Sequence, residues 1–479
     1  MSEEMLTNPK HRRYLIRAAA FGLTLLLLNG CLVGPNYHPP QPTVPTAWLG
    51  VTEAPTTEPS VATAQQADLT RWWQQFDDPM LAALVEEALK KNLDLQIAET
   101  RLRQARAARG VVVGGLWPAV TASGGYQRRN VPGVTQGDED LYQAGLDAAW
   151  ELDLFGGLRR NVESANATIQ SAIENIRDAQ VSLIAEVALN YIQLRGYQQE
   201  IVIAQDNLKA QQQTAEITHK QLKVGFASAL DVANADSNVA TTAAQIPVFE
   251  SAARQSIYAL SVLLARLPSD LLGQLSPMGN LPKVPAQVPT GLPSDLLRRR
   301  PDIRSSEAQL HAATAQIGVA ISDFFPKFSL TGTINWQSNL LSTWWVNASK
   351  SFSVGPGVTW PIFQGGAIAS NVRLQEALRD QAYITYQKTV LVAFQDVENA
   401  LIAFAKEQQH HQALNDAVVA NRKAVGLSLQ LYTEGMADFL NVLNAQRSLY
   451  ASEDALVQSE GKIVSDLIAL YKALGGGWE

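Results

Sequence analysis

The chain has 479 residues and a formal net charge of −7, with 46% hydrophobic and 17% charged residues. This acidic balance gives no basic patch for nucleic acid. Charged residues fall below the share of about a quarter that is usual in globular proteins, so much of the surface must be polar but uncharged. Such a composition suits tightly packed long helices or a water-filled lumen.

Residues 1–30 have the pattern of a bacterial lipoprotein signal peptide. A basic start that includes Lys10 precedes an apolar run over 18–28, which is too short to span a bilayer. The run leads directly to Cys31, the only cysteine of the chain. We therefore expect a covalent lipid on Cys31, with an ordinary secretory signal as the alternative. Leu32 follows in place of an aspartate, which indicates the outer membrane as the destination.

The mature chain consists of two similar halves. Asp94 and Asp302 begin a series of identical residues that lie 208 positions apart, and Gly225 and Gly435 begin a second series with an offset of 210. A repeat of this length is too long for a solenoid, so both halves should share one order of elements. The predicted segments are a lipid-anchored, Pro-rich arm at 31–66, a first repeat at 67–267, a Pro-rich linker at 268–290, a second repeat at 291–475 and a flexible tail at 476–479.

Each half is predicted to contain short helices, a strand pair and a long helical hairpin. The short helices are expected at 79–91, 93–116, 294–299 and 301–324. Apolar residues alternate with polar ones at Val120, Ala122, Gly124 and Tyr126, at Leu146, Trp150, Leu152 and Leu154, at Phe328, Leu330, Ile334 and Trp336, and at Phe352, Val354, Val358 and Trp360. This period of two is typical of strands in a membrane barrel, with lipid on one side and water on the other. A half-buried soluble hairpin is the alternative.

Strands are the predicted means of crossing a membrane, because no segment after Cys31 is apolar enough for a transmembrane helix. Four strands cannot close a membrane barrel, which needs about eight, and open edges leave backbone groups unpaired in lipid. Pro356 counts against a barrel, since a closed ladder loses a hydrogen bond there. We expect the chain to oligomerise, and these arguments do not choose among dimer, trimer and tetramer.

The long helices are predicted to form an antiparallel coiled coil. Only Gly196 interrupts the helical pattern from about Leu158 to Val224, which would give a rod of roughly 100 Å. Apolar residues recur every seven positions or multiples of seven at Val187, Leu194, Ile201, Leu208, Ala215 and Leu222, and at Val397, Phe404, Val418, Val425 and Tyr432. A sustained seven-residue spacing indicates supercoiled helices packed side by side.

The turns between the long helices are the candidate functional positions. Gly225 and Gly435 should each end a helix, and the pairs Ser228 with Asp231 and Asp438 with Asn441 have the spacing of N-terminal caps. In an oligomer these turns would form a ring at the end of the rods, where polar residues can gate or select.

Catalytic and metal-binding motifs are missing from the sequence. The six histidines lack HExxH spacing, and no GxSxG, P-loop or GxGxxG motif is present. A single cysteine excludes intramolecular disulfides and Cys-based metal clusters. We predict that the protein is not an enzyme and holds no metal, and that it needs no cofactor besides the lipid.

Six segments together resemble one family. They are Leu28-Asn29-Gly30-Cys31, Val33-Gly34-Pro35-Asn36-Tyr37, Trp72-Trp73-Gln74-Gln75-Phe76, Pro361-Ile362-Phe363-Gln364-Gly365-Gly366, Asn441-Val442-Leu443-Asn444-Ala445-Gln446-Arg447 and Tyr471-Lys472-Ala473-Leu474-Gly475-Gly476-Gly477-Trp478. The chain resembles the outer membrane factors, the TolC- and OprM-like exit ducts of tripartite efflux pumps, in their lipoprotein or NodT branch. The resemblance covers essentially the whole mature chain.

The resemblance implies a mainly α-helical homotrimer. Four strands per protomer would complete a twelve-stranded barrel in the outer membrane, above a periplasmic α-barrel of long helices. The implied partners are a periplasmic adaptor protein and an inner-membrane pump of the RND type, besides outer-membrane lipids. Adaptor docking would involve the turn residues Gly225, Ala227, Ser228, Gly435, Ala437 and Asp438.

The resemblance also implies a periplasmic gate at the hairpin tips. The expected gate residues are Asp231, Asn234, Leu440, Asn441, Asn444 and Arg447. Family members commonly have aspartate at the position of Asn444, and neutral amides should hold cations less well than carboxylates. Asp231 would partly restore the negative charge.

The expected function is passive export of drugs or other toxic small molecules through the outer membrane, driven by the partner pump. A lipid-anchored coiled-coil adaptor in the periplasm is the alternative, although adaptors lack duplicated pairs of alternating strands. A secreted enzyme on a helical scaffold is disfavoured for want of a catalytic motif.

Overall fold

The computed structural model describes residues 32–52, 60–63, 69–130 and 138–478. The predicted signal peptide and Cys31 lie outside these residues. The chain divides into two compact units. The sheet unit takes the described residues of Met1–Gln41, Arg101–Ala172 and Ser305–Tyr386. The hairpin unit takes those of Pro42–Thr100, Ile173–Arg304 and Gln387–Glu479.

The helices follow the predicted duplicated order. They are α1 (Leu49–Thr52), α2 (Pro79–Lys91), α3 (Leu93–Gly114), α4 (Gly157–Lys223), α5 (Ala229–Leu263), α6 (Leu272–Leu275), α7 (Pro293–Arg299), α8 (Pro301–Ser322), α9 (Ala367–Thr433) and α10 (Phe439–Ala473), with 3-10 turns at Trp72–Phe76, Leu341–Thr343 and Asn347–Ser349. Helices α3 and α8 each end two residues before the predicted end. Pro118 and Pro326 follow them, and a residue that precedes proline disfavours helical geometry.

The four strands of the sheet unit form one antiparallel sheet in the order β2–β3–β5–β6. The strands of the chain are β1 (Val61–Thr63), β2 (Ala119–Arg129), β3 (Glu139–Leu152), β4 (Gln287–Pro289), β5 (Lys327–Ser338) and β6 (Lys350–Thr359). Strands β2 and β6 are the two edges of this sheet. Pro356 therefore lies in an edge strand, where proline is tolerated.

The register places every large apolar position of this sheet except Leu141 on one face. Ala122, Leu146, Ile334 and Phe352 lie side by side across the four strands. The neighbouring row, on the opposite face, is Thr121, Asp147, Thr333 and Ser353. Because side chains alternate along each strand, this contrast extends over the sheet and gives it one apolar and one polar surface.

The long helices α4 and α9 have 67 residues each, and their partners α5 and α10 have 35 each. Most of the predicted seven-residue stripe is buried, including Val187, Leu194, Val397 and Phe404. Leu222 is exposed because it lies within two residues of the end of its helix. Among the described residues, no helix combines the length and apolar character needed to cross a membrane.

The N-terminal arm docks on the sheet unit through Arg160, whose side chain is only 1% exposed. Its guanidinium donates to Val33 O at 3.0 Å, Gly34 O at 3.2 Å and Asn36 Oδ1 at 2.8 Å. It also binds Glu163 Oε2 at 2.8 Å. A single buried arginine thus holds the backbone of residues 33–37, the second of the six segments that resemble the family.

Tyr37 extends the docked segment. Its ring stacks on His311 with centroids 4.3 Å apart, and its hydroxyl donates to Glu307 Oε1 at 3.2 Å. Gly34 has a φ of +87° and lies against Gly318, so that a Cβ on Gly34 would come within 2.4 Å of Gly318 Cα. Both glycines are required by close approach of two backbones.

Further along, the arm contributes to the hairpin unit. Trp48 is buried and donates from Nε1 to Gly291 O at 3.1 Å. Strand β1 pairs in parallel with β4, which lies in the linker between the halves. Pairing of the arm with the linker was not expected from composition, because both segments are rich in proline.

The prediction of a flexible C-terminal tail is wrong for Gly475–Trp478. The three glycines are buried, and Trp478 lies beneath the guanidinium groups of Arg177 and Arg304 at 4.5 and 5.2 Å. Its Nε1 donates to Arg299 O at 2.9 Å. The glycines allow the chain to turn closely against its neighbours, and Trp478 supplies the contact area that fixes it.

Candidate functional site at the hairpin turns

The two turns that join the long helices have the same backbone design. In the first, Gly225 has a φ of +82°, and Phe226 N donates to Gln221 O at 2.9 Å. In the second, Gly435 has a φ of +72°, and Met436 N donates to Leu431 O at 2.8 Å. Both are Schellman endings with glycine in the left-handed region, as the sequence predicted.

The caps of the following helices differ between the halves. Ser228 and Asp231 form a complete capping box, in which Asp231 N donates to Ser228 Oγ at 3.2 Å and Ser228 N donates to Asp231 Oδ2 at 2.8 Å. The predicted pair of Asp438 with Asn441 is wrong, because the Asp438 side chain makes no capping bond. Asn441 N donates to the backbone carbonyl of Asp438 at 3.1 Å instead.

A small apolar cluster lies behind the turns in the hairpin unit. Its buried members are Ala215, Ala235, Tyr432, Phe439, Val442 and Leu443. The rings of Tyr432 and Phe439 are 5.5 Å apart in an edge-on arrangement. Burial raises the pKa of the Tyr432 hydroxyl. The cluster fixes the position from which the candidate gate residues project.

The candidate gate residues of the second half lie on an accessible surface of α10. Leu440 is 57% exposed, and Asn441, Asn444 and Arg447 are also exposed. Leu440, Asn444 and Arg447 follow one helical face, because they are spaced at i, i+4 and i+7. One face of α10 therefore presents an apolar, an amide and a cationic side chain in a row.

The candidate gate residues of the first half are less accessible. Asp231 and Asn234 are half-buried on α5, and the carboxylate of Asp231 is engaged in the capping box. The structure links Arg447 to neither of them. Its Nε lies 3.4 Å from Oδ1 of Asn238, one turn further along α5.

Two buried polar residues behind the gate, Asn238 and Gln446, were missed by the sequence analysis. Asn238 is buried, and its Nδ2 has no hydrogen-bond partner in the described structure. Gln446 is buried as well and donates from Nε2 to Thr214 Oγ1 at 2.8 Å. The sequence did contain a signal for Gln446. This residue follows Val442 and Leu443 at i+4 and i+3, so it lies on the same inward face of α10 as these two apolar residues.

The apex of each turn carries an exposed apolar side chain. Phe226 is 82% exposed and Met436 is 65% exposed, and the two occupy equivalent positions of the halves. Of the predicted docking residues beside them, Gly225, Ser228, Gly435 and Asp438 are exposed, and Ala227 and Ala437 are half-buried. An exposed apolar side chain at both turns is a feature that a protein partner can cover.

These elements define a class of protein: a duplicated chain that combines long helical hairpins with an amphipathic antiparallel sheet. A family model described as outer membrane efflux protein matches this chain twice, over residues 84–266 and 292–476. Each match falls almost entirely within one of the two sequence repeats.

Individual relatives match over nearly the whole chain. The toluene efflux pump outer membrane protein TtgC of Pseudomonas putida is 34% identical over 467 residues, which cover 96% of this chain and 95% of the relative. Nodulation protein T of Rhizobium leguminosarum bv. trifolii is 31% identical over 458 residues, or 95% and 96% of the two chains. The solved structure of the outer-membrane channel OprN is similar with a TM-score of 0.86 and 37% identity, and the match covers 94% of this chain and 100% of that one.

The chain belongs to the outer membrane efflux protein family. This assignment confirms the family that the sequence motifs indicated. Members of this family are passive outer-membrane channels, so family membership confirms the prediction that the protein is not an enzyme. The relatives' outer-membrane location also favours the channel over the periplasmic adaptor.

Proposed function

We propose that three copies of this chain form the passive exit duct of a tripartite efflux pump. The observation that carries the proposal is the four-stranded sheet with an apolar face, a polar face and two unpaired edges, β2 and β6. In lipid, unpaired edges must be closed by further strands. A ring of three sheets gives twelve strands, enough to enclose a water-filled lumen lined by the polar face.

The strand lengths support a membrane location for this sheet. Strands β2, β3, β5 and β6 have 11, 14, 12 and 10 residues. A tilted strand needs about 9–11 residues to cross the hydrocarbon core. Exposed aromatic side chains, including Trp117, Trp345 and Trp360, lie beyond the strand ends, where aromatic residues favour the membrane interface.

The proposed duct opens and closes at the hairpin turns. Threefold symmetry would bring the exposed face of Leu440, Asn444 and Arg447 around the axis three times. Asp231, Asn234 and Asn441 would complete the polar surface of this gate. Asn444 supplies an uncharged amide, so the gate should depend less on cations than one built from carboxylates.

A periplasmic adaptor is the proposed partner of the turns. Phe226 and Met436 offer it apolar contacts, and Gly225, Ala227, Ser228, Gly435, Ala437 and Asp438 form the surrounding backbone. An inner-membrane pump of the RND type would supply the energy. The proposed cargo is drugs or other toxic small molecules, and TtgC is named for toluene efflux. Cys31 would carry the lipid anchor, with no other cofactor.

Native mass spectrometry of detergent-extracted protein tests the assembly. A species with the mass of three chains, each beginning at an acylated Cys31, is expected. A lipid-free monomer that is soluble without detergent would refute the duct. The gate is tested in planar bilayers, where replacing Leu440, Asn444 and Arg447 by alanine should raise conductance. Unchanged conductance of intact trimers would remove these residues from the gate.

A further inference from the structure

The two halves differ where one helix ends beside the start of another in the hairpin unit. In the first half Asn92 Nδ2 donates to Leu263 O at 2.9 Å, beside the end of α5. In the second half Arg300 Nη1 donates to Ala473 O at 3.2 Å, at the end of α10. Asn92 and Arg300 are 208 positions apart, so they are equivalent in the repeat. A neutral amide in one half is thus replaced by a cation in the other.

Arg300 is fully engaged by two carboxylates. Its guanidinium binds Asp302 through two bonds of 3.0 and 2.7 Å and Asp396 through one of 3.0 Å. Beside these groups lies a cavity of about 480 Å³ in the hairpin unit. This volume falls in the range of about 300–1,000 Å³ that is usual for small-molecule sites.

Two more carboxylates line this cavity and keep unused hydrogen-bonding capacity. Asp466 is 5% exposed, its Oδ1 binds Lys462 Nζ, and its Oδ2 has no hydrogen-bond partner among the described residues. Asp178 is half-buried, and its carboxylate forms no hydrogen bond or ion pair within the described part of the chain. Burying an unpaired carboxylate is costly, so a bound donor would stabilise both groups.

The charges around the cavity do not balance. Asp178, Asp302, Asp396 and Asp466 line it, together with the cations Arg300 and Lys472. When Lys462 is counted as well, four carboxylates still face three cations, which leaves one negative charge. The equivalents of Asp466 and Lys472 in the first half are Ser256 and Val262. Five of the six charged residues that line the cavity lie in the second half, and Asp178 is contributed by the first.

Apart from Asn399, the remaining walls are small and apolar. Val181, Ala400, Ala403 and Ala469 line the cavity between the charged groups. Such walls suit a short alkyl chain and give a hydrated metal ion little to contact. The free carboxylate oxygens and these walls together fit a ligand with a positively charged head and an apolar body.

We propose that this cavity binds a primary organic ammonium ion, with its N–H groups donating to Oδ2 of Asp466 and to Asp178 and its alkyl chain against the alanine walls. Charge-assisted hydrogen bonds of this type are the strong ones in proteins. The inference depends on the cavity alone and holds whether or not the chain forms an export duct.

Isothermal titration of the full chain in detergent with n-butylammonium chloride tests this site. Saturable binding is expected, and Asp466→Asn and Asp178→Asn should each weaken it by at least about tenfold, because each removes a charged acceptor. Asp454→Asn is the control, since Asp454 is a half-buried carboxylate of α10 that does not line the cavity. The Asp454→Asn variant should bind butylammonium with the same affinity as the wild type.

Two further measurements separate the proposed ligand from alternatives. Lys472→Met removes a lining cation and should tighten butylammonium binding. Burial raises the pKa of Asp178 and of Asp466, so binding should weaken as the pH is lowered from neutral, when the carboxylates take up protons. The proposal is overturned if butylammonium shows no saturable binding, or if the two cavity variants bind it as tightly as the wild type. It is also overturned if magnesium chloride displaces butylammonium when the magnesium concentration is the lower of the two.

Discussion

Replacing Gly318 with alanine should loosen the N-terminal arm, whereas the same replacement at Gly110 should leave the arm unchanged. The two glycines are equivalent in the repeat, since they lie 208 positions apart. Both are in helices of the sheet unit, Gly110 in α3 and Gly318 in α8. Only Gly318 lies beneath the docked arm, so the pair isolates the effect of the contact from that of helix propensity.

The cost follows from the space around each glycine. A Cβ on Gly318 would lie 2.8 Å from Arg160 Cγ and 2.9 Å from both Arg160 Nε and Val33 O. A Cβ on Gly110 would have no neighbour within 4 Å. Overpacking of this kind typically raises the free energy of the packed state, here the docked arm, by about 1–3 kcal/mol. Alanine also favours the helix by about 1 kcal/mol, but α8 is helical whether the arm is docked or open, so this gain cancels in the opening equilibrium.

Amide hydrogen exchange measures the opening directly. Val33 N donates to Phe155 O at 3.2 Å, so its exchange reports release of the arm. A loss of about 1–3 kcal/mol corresponds to exchange that is about 5- to 150-fold faster. Gly110→Ala should leave this rate at the wild-type value. Equal exchange in Gly318→Ala and the wild type, or an equal acceleration by Gly110→Ala, would refute the close-approach argument.

Three other changes give distinct outcomes. Arg160→Leu removes a buried cation from four acceptors and should lower the free energy of unfolding, measured with denaturant, by about 3–5 kcal/mol. Arg109→Leu loses one exposed contact and should lower it by less than about 1 kcal/mol. Ser228→Ala should destabilise its turn by about 1 kcal/mol, measured by local amide hydrogen exchange. Asp438→Ala should change exchange little, because the Asp438 side chain forms no cap. Equal effects of the two variants would contradict this. Burial raises the pKa of Glu200 from its ordinary value of 4.5 to about 7, so folding favours the protonated carboxyl and stability should fall as the pH rises from about 4.5 to about 7. Glu200→Gln should abolish this trend in melting temperature, and an unchanged pH profile would disprove it.

The element plan was readable because it rests on local patterns. The seven-residue stripe predicted α4 and α9, and the period of two predicted four strands whose apolar positions share one face. Gly225 and Gly435 were correctly placed as helix ends, since a left-handed turn needs a residue without Cβ. The same local logic failed for Asp438, whose side chain has the right chemistry but adopts no capping geometry.

Contacts between distant segments were outside the reach of such patterns. Gly475-Gly476-Gly477 reads as a flexible tail, yet it is buried, and Trp478 next to it contacts the guanidinium groups of Arg177 and Arg304. Likewise, the polar contact of Gln446 with Thr214 joins residues 232 positions apart. Nothing in either local sequence marks the other as its partner.

The sequence by itself determined the duplicated order of helices and strands, the amphipathic character of the sheet and the backbone of the two turns, because each depends on residues within a few positions of one another. Only the tertiary structure decided the sheet order with its two free edges, the docking of the arm on Arg160 and the charged cavity beside Arg300. These features depend on packing between segments that are far apart in the chain. The two halves share one plan, and their differences, Asn92 against Arg300 and Gly110 against Gly318, acquire meaning only when the neighbours of each residue are known.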